Sequence, residues 1–493
     1  MKRTAISLAC VAAALALVVP VPALAATSSP SDWFFVYQEQ WGLTGAVASI
    51  NAPAAWCAST GAGVTIADVD SGANMENVDL QGKLIAGAAF LNGDGSQSSA
   101  TGDAAAVEDD NGHGSETAGI MGALTDNKNG IASVAPDAKV LVVKVLKQDP
   151  NTGNATGSDS DVAAGIRYAA DYPGVKVINL SIGPEVPLVL QATGGSSIPG
   201  AIQYAYGKGV AVAVAAGNNS SPAGNEYQVG NTALVVGALG PAGEVAYYSN
   251  TSRLGASASK VQLYAPGGDD LNSTQPAGPD GVGPYIVSTY LRVGTGPDSE
   301  NAYSLSNEGT SFAAPHVAGT LALLMAKGMD NQTAMQRLVS SATSRNGGGT
   351  SGTVKELDAA AALGVAPSTT CGGPAGTPIR PGGESGGTHG SGPTPAHTAT
   401  PRGSAPTAAP HSTALAVAQA TPTAAPTSTP SHTSVADTTP PVAIAISGRG
   451  GGGGSPPSSP SPLLLAGLAV LIVLGAPAAT WAVRMRRARG GGP

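Results

Sequence analysis

The sequence predicts an α/β domain in which a mostly parallel sheet is covered by helices on both faces. Short Val-rich runs at 139–146 and 175–181 are typical of buried strands, and 161–170 has the spacing of an amphipathic helix. Strands of such a sheet are apolar throughout, because neither face meets water. Ligands on these sheets bind beyond the carboxyl ends of the strands.

The composition divides the 493-residue chain into regions. Apolar residues make up 42% of it, which is sufficient for a large core, and the formal charge of −8 argues against a nucleic-acid partner. From Pro367 the chain is dominated by Pro, Thr, Ser, Ala and Gly. We therefore predict a folded domain over 26–366 and a disordered stalk over 367–462, because such a composition cannot bury enough apolar surface to fold.

The N-terminus carries an export sequence. Lys2 and Arg3 precede a long apolar run, and the small residues Ala23-Leu24-Ala25 follow it. This pattern predicts a signal peptide over 1–25. A lipoprotein anchored at Cys10 is the weaker alternative, because the apolar run continues past that cysteine.

The C-terminus has a second apolar run. Residues 463–483 carry no charge and are numerous enough to span a bilayer, and the short tail 484–493 is rich in arginine. We therefore expect a single-pass cell-membrane protein whose domain lies outside the cell. A cleaved sorting or lipid-anchor sequence is the alternative.

Polar residues that suggest chemistry follow the predicted strands. Asp70 ends the first strand, His113 lies between glycines, and Ser311 begins an apolar helix. A serine at a helix N-terminus is well placed for a developing anion, because the helix dipole is positive there. The predicted domain contains two histidines, so any histidine base is His113 or His316.

These segments, in the order Asp, His, Ser, resemble the subtilisin family of serine peptidases over about residues 33–364. The most specific piece is Gly-Thr-Ser-Phe-Ala-Ala-Pro-His-Val-Ala-Gly at 309–319, and Gln-Trp-Gly at 40–42 resembles the thermitase-like branch. The resemblance implies a subtilisin-like three-layer fold and a serine endopeptidase that acts on proteins or peptides without a catalytic cofactor. The arrangement of signal peptide, domain, stalk and C-terminal helix is similar to that of mycosin-type membrane-anchored members.

The resemblance also implies a role for each candidate residue. Ser311 would attack the scissile carbonyl, His113 would transfer the proton, and Asp70 would hold the imidazole. Asn218 would donate to the oxyanion, and His316 would be structural. Two groups of three residues would flank the primary specificity pocket: Ser181, Ile182 and Gly183, and Ala215, Ala216 and Gly217.

Several alternatives concern this site. Asp68 is a rival acid two residues before Asp70, and Glu116 stands where the family commonly has a second histidine. A sedolisin-like site is disfavoured because Asp70 and His113 keep their subtilisin contexts. Glu226, near the floor of the pocket, leaves open whether apolar or basic residues are preferred. A display protein with an inert peptidase fold is the competing function.

The loop 124–131 resembles the family's calcium loop, and calcium prefers oxygen ligands. The resemblance implies a structural calcium site, with an ordinary Asn-rich turn as the alternative. Its ligands would be side chains of Asp32, Asp79 and Asn127 and carbonyls of Leu124, Asn129 and Ile131. About 45 residues separate Ala26 from Asp70, too few for a large folding prodomain.

Removal of the signal peptide leaves two cysteines, Cys57 and Cys371. Export places them where a disulfide can form, and domain termini often lie close together. We predict that they are bonded, with free or intermolecular thiols as the alternative.

Overall fold

The computed structural model describes residues 29–45, 47–183, 198–224, 227, 229–252, 260–270, 283–291, 302–348 and 352–371. All of them belong to the first of the two units into which the chain divides, Met1–Gly392, and none to the second, Pro393–Pro493. The predicted signal peptide, membrane span, basic tail and all but the start of the stalk lie outside the described residues, as does Glu226. Within the described residues, no helix is long and apolar enough to cross a membrane.

A sheet of nine described strands forms the centre of the domain, in the order β12-β13-β9-β8-β7-β6-β1-β3-β2. All neighbouring strands are parallel except β12 and β13, which pair antiparallel at one edge. The strands are β1 Thr65–Asp70, β2 Leu84–Ala89, β3 Lys139–Lys144, β6 Val175–Leu180, β7 Ala211–Ala215, β8 Leu234–Leu239, β9 Leu263–Pro266, β12 Thr343–Asn346 and β13 Thr353–Glu356.

Two pairs of helices cover this sheet. Helix α4 (His113–Gly122) packs against α7 (Thr310–Ala326), and α5 (Asp159–Asp171) packs against α6 (Ile198–Gly207). Helix α7 also contacts β6, β7, β8 and β9. Helices α4 and α5 both contact β1 and β3, yet they do not pack against each other. The two pairs of helices therefore lie on opposite faces of the sheet. The predicted three-layer α/β architecture is confirmed, and the predicted elements agree with the observed bounds to within a few residues.

Local chemistry explains where the helices begin. The Ser158 side chain accepts from Asp161 N at 3.0 Å and caps α5, whose first turn carries acidic residues that suit the positive end of a helix. Helices α8 (Asn331–Ser341) and α9 (Ala359–Leu363) are capped in the same way by Asp330 and Asp358.

The N-terminal segment forms part of the body of the domain. It contains α1 (Trp33–Val36), α2 (Trp41–Thr44) and α3 (Ala52–Trp56). Trp33 and Phe34 pack in a small cluster with Ile131 and Tyr303, and Trp41 Nε1 donates to the Tyr285 carbonyl at 2.9 Å. A disulfide joins Cys57 and Cys371, whose Cα atoms are 5.5 Å apart. The bond therefore links the end of α3 to the chain beyond α9, and these two helices pack together.

Two antiparallel hairpins complete the described structure. One consists of β4 (Lys147–Gln148) and β5 (Ala155–Thr156), and the other of β10 (Ile286–Thr289) and β11 (Tyr303–Asn307). The first hairpin lies between β3 and α5. The second packs on α4 and leads directly into α7. The two hairpins therefore adjoin elements that carry candidate residues, since α4 begins at His113 and α7 contains Ser311.

Candidate active site

Asp70 and His113 form the central contact of the site. Asp70 is the last residue of β1 and is buried, and His113 is the first residue of α4. The Nδ1 atom of His113 lies 2.8 Å from Asp70 Oδ1, which also accepts from Ser71 N at 2.7 Å. This contact fixes the ring so that its other nitrogen, Nε2, is available for proton transfer.

The charge of Asp70 changes how readily His113 binds a proton. Burial opposes the charged imidazolium, but the negative charge of Asp70 and its hydrogen bond outweigh burial and raise the pKa of His113 to about 9. The charge of Glu116, and that of Asp68 where it is ionised, act in the same direction. A base in this environment is strong but is free of its proton only at alkaline pH.

Ser311 lies in the first turn of α7 and is bonded to Ser181, the residue that follows β6. Ser311 Oγ donates to the Ser181 carbonyl at 2.9 Å, and Ser181 Oγ donates to the Ser311 carbonyl at 2.7 Å. The second bond has a cause in the sequence: Pro315 lies four residues later and has no N–H for the Ser311 carbonyl. The Ser181 hydroxyl therefore satisfies an acceptor that the proline leaves open.

Asn218 is held by its oxygen. Its Oδ1 accepts from Thr310 N at 2.9 Å and from Thr310 Oγ1 at 2.8 Å. An amide whose oxygen is engaged twice presents its Nδ2 protons in the opposite direction. Thr310 thus orients the side chain to which the family resemblance gives the oxyanion role.

A cavity of about 560 Å³ opens beside His113. Ser181, Ile182 and Gly183 form part of its wall, with Tyr227 nearby. Ala215 ends β7, and Ala216 and Gly217 follow it. Within the described residues none of the three lines this cavity, and Gly217 N instead donates to Thr310 Oγ1 at 3.0 Å.

The opposite wall of the cavity was missed in the sequence. It consists of residues 153–159, which include β5 and the cap of α5. The run of small residues Gly-Asn-Ala-Thr-Gly-Ser at 153–158 could have indicated this wall in the sequence. A segment that lines a cavity needs small side chains to leave room for a ligand. At Gly157, which follows β5, a Cβ atom would lie 2.3 Å from the Val145 carbonyl oxygen, so the close approach of these two chain segments requires glycine there.

The turn that leads into His113 depends on Asp109, which the sequence analysis also missed. Its carboxylate accepts from Ser71 Oγ and Ser115 Oγ at 2.9 and 2.7 Å, and from three backbone N–H groups at 2.9–3.0 Å. Asp109 therefore fixes the turn that leads into His113 and ties it to Ser71, the residue after Asp70. The run Asp-Asp-Asn-Gly-His at 109–113 was the available indication, because short acidic side chains commonly bond their own turns.

The rival acid Asp68 is buried in the same strand but does not bond His113. Its Oδ1 accepts from Asn179 Nδ2 at 3.0 Å, and its Oδ2 lies 2.7 Å from Thr117 Oγ1. Glu116 is also buried, and burial raises its pKa to about 8, while His113 and the Ser304 hydroxyl lower it. His316 bonds the Phe312 carbonyl through Nδ1 at 2.8 Å, and burial lowers its pKa to about 4, so it stays neutral.

The candidate calcium residues meet near the N-terminal segment. Asp32 accepts from the N–H groups of Asp126 and Asn127 at 2.7 and 3.1 Å, and Asp79 accepts from Asn127 Nδ2 and Ile131 N at 2.7 and 2.9 Å. Burial raises the pKa of Asp32 to about 7 and that of Asp79 to about 8.

Two other residues of the loop, Leu124 and Asn129, donate hydrogen bonds from their backbone N–H groups. Leu124 N donates to the Asp79 carbonyl at 2.7 Å, and Asn129 N donates to Asn127 Oδ1 at 2.8 Å. Among the described residues, no group of three or more His, Cys, Asp or Glu side chains could hold a metal ion. Two buried carboxylates in an oxygen-rich loop nevertheless have the donor chemistry that suits calcium.

Comparisons with known proteins agree with this geometry. The model of the subtilase family, peptidase S8, matches residues 61–357. Thermitase of Thermoactinomyces vulgaris is 35% identical over 322 residues, which are 65% of this chain and 94% of thermitase. A thermophilic serine proteinase of Bacillus sp. strain AK1 is 34% identical over 297 residues, 60% of this chain and 61% of that protein.

A solved structure agrees as well. Proteases from Pseudoalteromonas arctica are 28% identical and superpose with a TM-score of 0.54, covering 68% of this chain and 99% of theirs. The fold, the family match over most of the described domain and the serine-protease relatives point to one class of enzyme. The chain belongs to the subtilase family and is a subtilisin-like serine endopeptidase.

Proposed function

We propose that this endopeptidase cleaves peptide bonds through Asp70, His113 and Ser311 by way of an acyl-enzyme. The observation that carries the proposal is the 2.8 Å contact between His113 Nδ1 and Asp70 Oδ1, with Ser311 in the first turn of α7. Asp70 holds the imidazole in one tautomer and stabilises the imidazolium that forms. His113 Nε2 takes the proton of the Ser311 hydroxyl and then delivers it to the leaving amine.

The oxyanion has two donors in this proposal. Asn218 Nδ2 is one, because Thr310 engages the oxygen at the other end of the amide. The N–H of Ser311 is the second, because the first N–H groups of a helix have no partner within it. These donors are in place before reaction, so the developing charge meets preoriented dipoles.

Substrate residues before the scissile bond would lie in the cavity beside His113. Leu146, Val162, Ile182 and Tyr227 give it apolar surface, whereas Asn111 and Asp159 add polar groups at its margin. We propose a preference for apolar side chains on this side of the bond. The substrates are proteins or peptides, and the catalytic steps require no cofactor.

The location of the enzyme is part of the proposal. The sequence of 1–25 supports export, the composition of 367–462 supports a stalk, and the uncharged run 463–483 with its arginine-rich tail supports a membrane anchor. The domain would then act at the outer face of the cell membrane.

Truncation before Ser461 should release active enzyme from the membrane fraction. Intact full-length protein in the soluble secreted fraction would contradict the anchor.

A structural calcium ion is the further part of the proposal. Burial raises the pKa values of Asp32 and Asp79, and a bound calcium ion would favour their charged forms instead. Gly130 allows Tyr303 and Asp79 to lie close to the backbone of this loop: a Cβ atom on it would lie 2.0 Å from Tyr303 Oη and 2.3 Å from Asp79 Oδ2. Bound calcium would supply stability to the N-terminal segment and no step of the reaction.

Covalent labelling with a fluorophosphonate tests the proposed nucleophile. We expect the full chain to be labelled at Ser311, Ser311→Ala to be unlabelled, and His113→Ala to be labelled far more slowly. The control is Ser340→Ala, an exposed serine on α8, which should label as the parent does. Folded parent protein that fails to label would support the inert display protein instead.

A further inference from the structure

Asp68 is a buried carboxyl group that the proposed mechanism does not use. It lies on β1 two residues before Asp70, so both side chains emerge on the same face of the strand, and each residue is only 1% exposed. Among the described residues no cation is paired with it. An unpaired charge at this depth would be costly, because burial removes its hydration.

The two contacts of Thr117 beside Asp68 can both be hydrogen bonds at the same time only if Asp68 carries a proton. Thr117 Oγ1 lies 2.7 Å from Asp68 Oδ2 and 3.1 Å from the Gly114 carbonyl oxygen. A hydroxyl has one proton, so it cannot donate to both. A proton on Asp68 Oδ2 would be donated to Thr117, and the hydroxyl of Thr117 would then be free to donate to Gly114.

These hydrogen bonds form a chain that continues from Asp68 to the backbone of Ser311. Asn179 Nδ2 donates to Asp68 Oδ1 and to Ser181 Oγ, both at 3.0 Å, and the two protons of the amide allow both bonds. The Ser181 hydroxyl then donates to the Ser311 carbonyl at 2.7 Å. A neutral Asp68 therefore gives every hydroxyl and amide proton in this chain one acceptor.

Charges near Asp68 oppose its ionisation. Burial raises its pKa to about 8, and the charge of Asp70 acts in the same direction, against smaller contributions from Asn179, Thr117 and His113. Lys144 on β3 bonds the Ser71 carbonyl and Asp110 rather than Asp68. From α4, Glu116 adds a second acid beside His113. When two carboxyl groups share a buried site, one of them tends to keep its proton.

We propose that Asp68 is a neutral carboxylic acid in the resting enzyme and donates its proton to Thr117, so that Asp70 alone faces His113 as a carboxylate. The inference rests on the roles proposed above for Asp70 and His113. Asp68 is a positioning residue: its chain of bonds connects the strand of the acid and the helix of the base to the backbone of the nucleophile.

The first test measures protons rather than activity. Asp68→Asn presents the same donor and acceptor as the neutral acid, and both proteins carry Ser311→Ala to prevent self-digestion. If native Asp68 is neutral, the native state holds one proton more than the unfolded state between about pH 4 and pH 8, so the parent loses stability relative to Asp68→Asn as the pH rises. The difference in slope should correspond to about one proton.

Stability curves that stay parallel across this window would overturn the proposal, as would an Asp68→Asn protein that does not fold. Because the background is catalytically inactive, the result does not depend on the proposed function. Asp161→Asn is the matched control: both oxygens of that buried carboxylate accept N–H groups, from Gly93 and Gly95, so its amide must break one bond and should destabilise.

The second test distinguishes the hydrogen bonds of Asp68 from the space that its side chain fills. In the active enzyme, Asp68→Asn should retain a kcat/KM at least about tenfold above that of Asp68→Val, which can neither accept from Asn179 nor donate to Thr117. It should also leave the acid limb of the pH profile unchanged up to about pH 8, because over that range the neutral acid and the amide carry the same charge. Equal losses in the two variants would contradict the positioning role, and a shift of the limb to lower pH would show that native Asp68 is charged.

Discussion

Ser311 and Ser181, the residue that follows β6, are joined by a reciprocal pair of hydrogen bonds. Ser311 Oγ donates to the Ser181 carbonyl, and Ser181 Oγ donates to the Ser311 carbonyl. One wall of the cavity beside His113 and the proposed nucleophile are therefore fixed to each other. The bond from Ser181 Oγ exists because Pro315 cannot supply the helical N–H.

This relationship predicts a rescue. Ser181→Ala should lower stability by about 1–3 kcal/mol, because the Ser311 carbonyl loses its donor. Pro315→Ala restores an N–H four residues after Ser311, so the double variant should be less impaired than the sum of the single variants. Chemical denaturation of the four proteins in an inactive background checks this, and strict additivity would count against the proposed link.

Asn218→Ala should lower kcat far more than it changes KM. A preoriented oxyanion donor of this kind is worth about 2.7–4 kcal/mol in the transition state, which is about 10²–10³ in rate. Steady-state kinetics on a peptide substrate measure it, with the exposed Asn92→Ala as control. An unchanged kcat would remove Asn218 from the oxyanion site.

The pH dependence of kcat/KM should be shifted to alkaline pH. His113 must be free of its proton to act as a base, and Asp70 helps raise its pKa to about 9, so activity should rise with pH toward that value rather than level off near 6.5. Glu116→Gln should move the rise to lower pH, because the Glu116 charge contributes to the shift. A parent profile that levels off near 6.5 would show that these carboxylates do not act on His113.

Calcium should raise the melting temperature of the parent protein. A ligand that binds only the native state stabilises it by mass action, and chelation should reverse the effect. Asp79→Asn should lose most of this response, whereas Asp161→Asn, remote from the loop, should keep it. The same melting temperature in calcium and in excess chelator would argue against the site.

The disulfide should contribute substantially to stability, because it closes a loop between residues 314 positions apart. Cys57→Ser, Cys371→Ser and the double variant should each lose about 2–5 kcal/mol of unfolding free energy. A reductant should destabilise the parent and leave the double variant unchanged. Equal sensitivity of both proteins to the reductant would assign its effect elsewhere.

The sequence was a good guide to the site where chemistry depends on a short run of residues. Asp70, His113 and Ser311 were each proposed from their own segments, and of these the structure brings Asp70 and His113 into contact. Ser181 follows its predicted strand directly, whereas Asn218 lies three residues beyond the end of β7. The contact of Asp109 with Ser71 and the wall at 153–159 were missed, because both depend on segments that come together only on folding. Ser71 lies 38 residues before Asp109, and Gly157 meets the Val145 carbonyl only once β5 has packed back beside the chain that follows β3.

The sequence by itself determined the fold class, the order of the candidate catalytic residues and the pair of cysteines, because apolar periodicity and residue identity are local properties. Only the tertiary structure decided between Asp68 and Asp70. Both acids lie on one face of β1, and their spacing cannot separate them. The packing of α4 places His113 on Asp70 and Thr117 on Asp68, so the neighbours that each carboxyl group meets after folding determine which one serves the base.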